Sequence, residues 1–236
     1  MDLQPKIDAV AALLKRIESE FSPATFANSL GAEDMVLTDL IAKYAPGIEL
    51  FTLDTGRLNP ETYDLLAKVQ ETYGNTVQVR TYAPQAEAIQ TYINTNGINA
   101  FYNSVELRKQ CCGIRKVEPL KRALDGKKAW ITGMRRQQAV TRKDMPFEEM
   151  DADHGLMKFN PLADWTEKEV WAYLRDNGVP YNALHDQHYP SIGCAPCTRA
   201  IAMGEDVRAG RWWWEDEAGK ECGLHVKKIS AVTPIK

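Results

Sequence analysis

Apolar residues recur through residues 6–20 at Ile7, Val10, Leu13, Leu14 and Ile17, a spacing that gathers them on one face of a helix. Residues 24–30 read as a short strand running into a turn at Gly31. The stretch "AEDMVLTDLIAKYAPG" then predicts an amphipathic helix, with Glu33 and Asp34 in its first turn and a Pro-Gly stop. "IELFTL" is an apolar strand that ends in the polar turn "DTGRLN", where Asn59 suits an N-cap and Pro60 the first helical position. "TVQVRTY" predicts a third strand, residues 85–95 a helix, residues 104–124 a helix containing "CCGIRK", and "KAWITG" a fourth strand. A basic loop, "MRRQQAVTRKD", follows, and "LMKFNP" reads as a short fifth strand. Thr166 to Glu169 form a capping box for the helix "EKEVWAYLRDNG", which stops at Gly178. Beyond it the chain is loop-rich, with a short helix expected after Cys197.

Strands alternating with helices predict an α/β fold built on a doubly wound, mostly parallel sheet. Such sheets bind ligands outside the carboxyl ends of their strands, and the turns at 28–34, 53–59 and 132–143 lie at such ends. A boundary near residue 205 separates a 1–205 domain from a 206–236 tail. Composition leaves this picture unchanged, since 44% apolar and 26% charged residues are ordinary globular values. No apolar run approaches the roughly 20 residues that span a bilayer. "MDLQPKIDAV" lacks the basic and apolar regions of a signal peptide. The expectation is a cytoplasmic protein without a membrane partner. A net charge of -3 argues against nucleic acid as the main partner.

The cysteines change the picture. Five cysteines, an odd number, in a reducing compartment do not suggest a disulfide framework, so metal ligation or catalysis comes first. Cys111 and Cys112 are adjacent, and Cys194 and Cys197 form "CAPC". Four thiolates suit either an iron–sulfur cluster or a structural zinc. Neighbouring side chains on a helix diverge by about 100°, which strains a single tetrahedral ion but lets each thiolate take a different corner of a cubane. Spacing alone leaves cluster and zinc both open. Cys222 stands apart, in a polar, glycine-flanked tail beside Lys220, His225, Lys227 and Lys228.

"KQCCGIRKVEPLKRAL", "GCAPCTRAI" and "KECGLH", with "SLGAED" and "LDTGRLNPETY", resemble the assimilatory adenylyl-sulfate (adenosine 5'-phosphosulfate) reductases from about residue 25 to 226. The resemblance implies a fold of the adenine-nucleotide hydrolase (PP-loop) type with a mobile C-terminal tail. It implies a [4Fe-4S] cluster on Cys111, Cys112, Cys194 and Cys197. It also implies reduction of adenylyl sulfate to sulfite and AMP, with thioredoxin or glutaredoxin as electron donor; a homo-oligomer is compatible with it. Cys222 is then the nucleophile, attacking the sulfate sulfur and carrying the sulfonate out to the donor.

The same motifs assign substrate binding to Ser29, Gly31, Leu53, Lys116, Gly133, Arg142, Arg208 and Arg211. The chemistry agrees, because a phosphosulfate needs fixed cations and backbone N–H groups. Each has a plainer reading. Lys116 and Arg115 fit a helix's wet face, Arg208 and Arg211 fit cation–π stacking on Trp212 to Trp214, and Arg135 or Arg136 fit the role given to Arg142. Asp54 and Arg57 shape the site rather than react. The ATP-using loop reads like SGGxDS, whereas here it is "SLGAED"; Glu33 and Asp34 are expected to repel a triphosphate. The rivals are a 3'-phosphoadenylyl-sulfate or dual-specificity reductase, a PP-loop tRNA thiolation enzyme, and an iron–sulfur or zinc redox-sensing module. His185 and His188 read as polar surface or hydrogen-bond partners.

Overall fold

The computed structural model describes residues 2–139 and 142–215; Cys222 and its basic neighbours lie outside the described residues. The helices are α1 (Gln4–Glu20), α2 (Ala32–Tyr44), α3 (Pro60–Tyr73), α4 (Ala86–Asn96), α5 (Val105–Cys112), α6 (Glu118–Leu124) and α7 (Glu167–Asp176). The strands are β1 (Ala24–Ala27), β2 (Glu49–Leu53), β3 (Val79–Tyr82), β4 (Ala129–Ile131), β5 (Glu148–Asp151) and β6 (Leu156–Phe159). They form one six-stranded sheet in the order β3-β2-β1-β4-β6-β5, parallel except for β5. The predicted doubly wound sheet is therefore present.

Period-two alternation puts both faces of the central strands in a core, as a parallel sheet requires. Phe26, Leu50, Ala129 and Ile131 join the cluster with α1, α2 and α7, while Phe51 and Trp130 join the one with Leu120, Ala123 and Leu124 of α6. Burying each large side chain contributes about 1.5–3 kcal/mol. The capping box before α7 is formed: Thr166 Oγ1 accepts from Glu169 N at 3.2 Å, and Glu169 accepts from Thr166 N at 2.7 Å.

Chain order reverses between β1 and β4. From β1 the chain goes outward to β2 and β3, then returns to place β4 on the other side. That is a topological switch point, with its crevice beyond the carboxyl ends of β1 and β4.

Four local expectations differ from the structure. β1 ends at Ala27, because the next residues form a loop held by side chains. β5, the antiparallel edge, was not expected. The helix predicted over 104–124 is interrupted by a π turn at Gly113–Val117. Pro119 explains the interruption, since it has no N–H to donate to the carbonyl of Arg115 four residues back. The helix expected after Cys197 is instead a 3-10 turn, Ala195–Cys197, on the cysteines themselves.

Candidate active site and cysteine recess

A cavity of about 300 Å³ opens at the switch point. Ser29 and Gly31 enter from the β1–α2 loop, Leu53 from the end of β2, Gly133 and Arg142 from the segment after β4, Lys116 from the π turn, and Arg208 and Arg211 from the last described segment. The predicted substrate residues, 182 positions apart at their extremes (211 − 29), thus share one lining.

The β1–α2 loop is built from short polar side chains. Asn28 Oδ1 accepts from Leu30 N at 2.7 Å, and its Nδ2 donates to Thr38 Oγ1 at 2.9 Å. Leu30 stands where the ATP-using form has glycine, yet takes a left-handed φ of 63°. That conformation costs a non-glycine residue about 1 kcal/mol and is retained by the burial of its side chain. No side chain caps α2, so its leading N–H groups remain for an anion.

Glu33 and Asp34 do not form the simple repulsive pair expected. Arg135 Nε and Nη2 both reach Glu33 Oε1 at 2.7 Å. Asp34 Oδ2 accepts from Ser29 N at 2.6 Å and Ser29 Oγ at 2.5 Å. Burial pushes the Asp34 carboxyl up from 3.8 to about 7; the Ser29 hydrogen bonds oppose the shift and the Glu33 charge adds to it. A Cβ at Gly133 would collide with Asp34 Oδ1, which is why that position has no side chain.

Asp34 yields a pH prediction. Between about 4 and about 7 the folded chain holds a proton that the unfolded chain does not, so this group's contribution to stability falls as pH rises through that window and is level above it. An anionic nucleotide in the cavity would meet a neutral Asp34 below about 7 and a charged one above it, so affinity for AMP is expected to weaken as pH rises through 7. Calorimetric titration with AMP from pH 6 to 8.5 checks this. Asp34→Asn should flatten the profile; an unchanged profile in that variant would refute the assignment.

Among the arginines offered as alternatives after β4, Arg135 and Arg142 line the cavity. Arg136 instead stacks on Phe147 at 4.9 Å and donates to the Met145 carbonyl at 2.8 Å. Arg142 Nη1 donates to Gln138 Oε1 at 2.6 Å. Arg211 does stack on Trp212, at 4.8 Å, while also lining the cavity. Arg115 is not on a wet face: it is 7% exposed and donates to the Thr55 carbonyl at 2.6 Å. Asp54 accepts from the Tyr63 hydroxyl at 2.7 Å, and Arg57 donates to the Ile98 carbonyl at 2.7 Å, both shaping loops. Asn59 sits at the N-cap of α3, but its side chain turns to the Gly193 carbonyl at 3.3 Å.

His185 lines the cavity as well, contrary to the surface reading. Burial lowers its pKa, and its Nε2 and the Nε1 of Trp212 are buried without a partner among the described residues. Both are polar atoms that a nucleotide can satisfy. Nothing in the local sequence around His185 marked it; its role as lining comes from α7, whose Trp171 packs on it edge-to-face at 5.2 Å.

Cys111, Cys112, Cys194 and Cys197 line a second, smaller recess, together with Arg57, Arg108, Arg115 and Lys116. The thiols are free of disulfides. Lys116 and Cys194 line both spaces and so form their common wall. Burial acts to raise the Cys194 pKa, but Lys116, Thr55 Oγ1 at 3.2 Å, Arg211 and Arg115 outweigh it and hold the thiol below its usual range. Burial, reinforced by the Cys194 charge, pushes Cys197 up to about 12, and burial also raises Cys111. Among the described residues no three His, Cys, Asp or Glu side chains are grouped around a single ion position.

Residues 206–215 are stitched to this recess. Thr198 and Arg211 form a β-bridge, Arg199 N donates to the Gly210 carbonyl at 3.0 Å, and Trp212 N donates to that of Cys197 at 3.2 Å.

Comparison with known proteins gives these features a family. Residues 23–200 match the phosphoadenosine phosphosulfate reductase domain. The adenosine 5'-phosphosulfate reductase of Allochromatium vinosum is 54% identical over 99% of this chain and 91% of its own. That of Burkholderia cepacia is 53% identical over 99% and 92%. The solved phosphoadenylyl-sulfate reductase of Candida auris, a phosphate complex, is 31% identical with a TM-score of 0.68, covering 81% of this chain and 90% of that one. A Candida glabrata FMN adenylyltransferase, 14% identical with a TM-score of 0.55 over 93% and 74%, shares the fold alone. With a cation-lined cavity at the switch point, a four-cysteine recess behind it and these likenesses along nearly the whole chain, the protein belongs to the phosphoadenosine phosphosulfate reductase domain family.

Proposed function

We propose that this chain is an enzyme of sulfate assimilation that reduces adenosine 5'-phosphosulfate to sulfite and AMP. The observation that carries the reading is the common wall. Lys116 and Cys194 join a cavity suited to an anionic nucleotide to a recess lined by four thiols.

The open start of α2 and the loop Asn28–Gly31 receive phosphate oxygens, while Lys116, Arg142, Arg208 and Arg211 hold the phosphosulfate. The thiolate of Cys222 attacks the sulfate sulfur. The S–O bond to the AMP phosphate breaks, and negative charge developing on the departing oxygen meets these cations. A thioredoxin or glutaredoxin thiolate then attacks Cys222 Sγ. Sulfite departs with the bonding pair, and the donor's second thiol resolves the mixed disulfide, so the dithiol supplies both electrons. This need for a reducing dithiol matches a cytoplasmic setting.

The donor set fits a [4Fe-4S] cluster. Four cysteines line one recess, and the four cations that line it with them would offset a cluster's negative charge; the adjacent Cys111 and Cys112 suit separate irons better than one tetrahedral ion. A cluster bound there supplies fixed delocalised charge beside the substrate and a brace between α5 and the Ala195–Cys197 turn.

Anaerobically purified protein should be brown, contain iron and acid-labile sulfide in equal amounts, and release sulfite from adenosine 5'-phosphosulfate with thioredoxin. It should prefer this nucleotide to its 3'-phosphorylated form. A colourless, active, zinc-loaded protein would overturn the cluster, and equal efficiency on both nucleotides would make the enzyme dual-specific.

A further inference from the structure

The last described residue, Glu215, makes a buried, bidentate ion pair with Arg108. Arg108 Nε donates to Glu215 Oε1 at 2.8 Å and Arg108 Nη2 to Glu215 Oε2 at 2.7 Å. The two side chains are 1% and 3% exposed. A bidentate pair of this kind is geometrically specific, and losing one partner strands a buried charge.

Its surroundings link it to both parts of the site. Arg108 lies on α5, one helical turn before Cys112, and interacts with that thiol. The guanidiniums of Arg108 and Arg211 lie 4.7 Å and 4.8 Å from the Trp212 ring centroid. Trp212 is buried, holds a left-handed φ of 43°, and lines the substrate cavity with Arg211. A Cβ at Gly193 would collide with the Arg211 guanidinium, so the backbone on the other side of Arg211 is also closed up against it. A continuous set of contacts therefore runs from Cys112 through Arg108 to Glu215 and Trp212, and from Trp212 to Arg211.

We infer that the Arg108–Glu215 pair is a positioning element for the reaction: it locks the segment carrying Arg211 and Trp212, which line the cavity, onto the cysteine helix α5. Resting on the proposed role of Arg211 in holding the phosphosulfate, this gives the pair a kinetic consequence, since a substrate-positioning group misplaced by about 1 Å can lose on the order of 100-fold in rate.

The test uses the full-length, cluster-loaded protein and its Glu215→Gln variant, with Arg108→Lys as a second variant that keeps charge but loses the fork. In a single turnover with adenosine 5'-phosphosulfate and no thioredoxin, AMP release per iron–sulfur unit should fall about 10- to 100-fold in Glu215→Gln. AMP affinity should fall by less than the rate, because Ser29, Gly31, Leu53 and Gly133, which also line the cavity, lie on other elements. Arg108→Lys should fall in the same direction. Hydrogen exchange supplies a readout independent of catalysis: protection of the Trp212 amide should drop in both variants while that of α2 is kept. If AMP release per loaded protein and Trp212 exchange are both unchanged, the pair is only structural and the inference is overturned. If wild-type protein forms no Cys222 adduct, the functional reading itself fails, a result distinct from the variant behaving like the wild type.

Discussion

Cys222→Ser should abolish turnover, lowering kcat by on the order of 10⁴-fold or more, as the loss of a covalent nucleophile does. A serine hydroxyl is far less ionised than a thiol at neutral pH, and an O-sulfonate has oxygen in place of the side-chain sulfur with which the donor thiolate must form a mixed disulfide to release sulfite. The four cysteines of the recess are elsewhere in the chain, so iron and sulfide content should be unchanged. AMP affinity should also be unchanged, since the described lining residues all stay in place. Sulfite release and iron analysis on one preparation check all three. A Cys222→Ser protein that still turned over would place the nucleophile elsewhere.

Lys116→Ala should have the next largest effect. Lys116 is the cation of the common wall: it lines both spaces, and its charge acts to lower the pKa of Cys194 and of Cys197. Its position in the π turn, where the helix is locally widened, puts it beside the cysteines and the cavity at once. Removing a charge-assisted contact of this kind costs about 2–4 kcal/mol, roughly 30- to 1000-fold in kcat/KM. If the charge acts mainly on departing AMP, most of the loss falls on kcat; if mainly on the ground-state anion, on KM. Steady-state kinetics separate the two, and a variant with both parameters unchanged would remove Lys116 from the site.

The order of these elements was readable in the chain wherever burial imposes a period. β1, β2 and β4 are buried on both faces and carry apolar runs, while α1 and α7 carry helical spacing and a capping box. β5 was not readable, because "EEMD" is an edge strand held by backbone pairing with β6 and needs no apolar face. The metal-type cysteines were legible from their grouping, but their convergence on one recess depends on a sheet topology that no local window contains. The same holds for the proposed substrate residues: Lys116, Arg142, Arg208 and Arg211 come from motif likeness rather than from periodicity. Arg115 looked solvated because its helix was read without the π turn, which turns its side chain towards Thr55. Arg108 and Glu215 gave no signal at all. Neither "VELRKQ" nor "WWWE" names a partner for its charge, and the pair is made across 107 residues of chain.

The measurement that bears most directly on this account is mass mapping of the protein after anaerobic incubation with adenosine 5'-phosphosulfate and no reductant. The account predicts one sulfonate per chain on the peptide containing Cys222, one equivalent of AMP released with it, and loss of the sulfonate as sulfite when thioredoxin is added. A sulfonate on Cys194 or Cys197, or thioredoxin-dependent sulfite formation with no protein-bound adduct at any time, would contradict it.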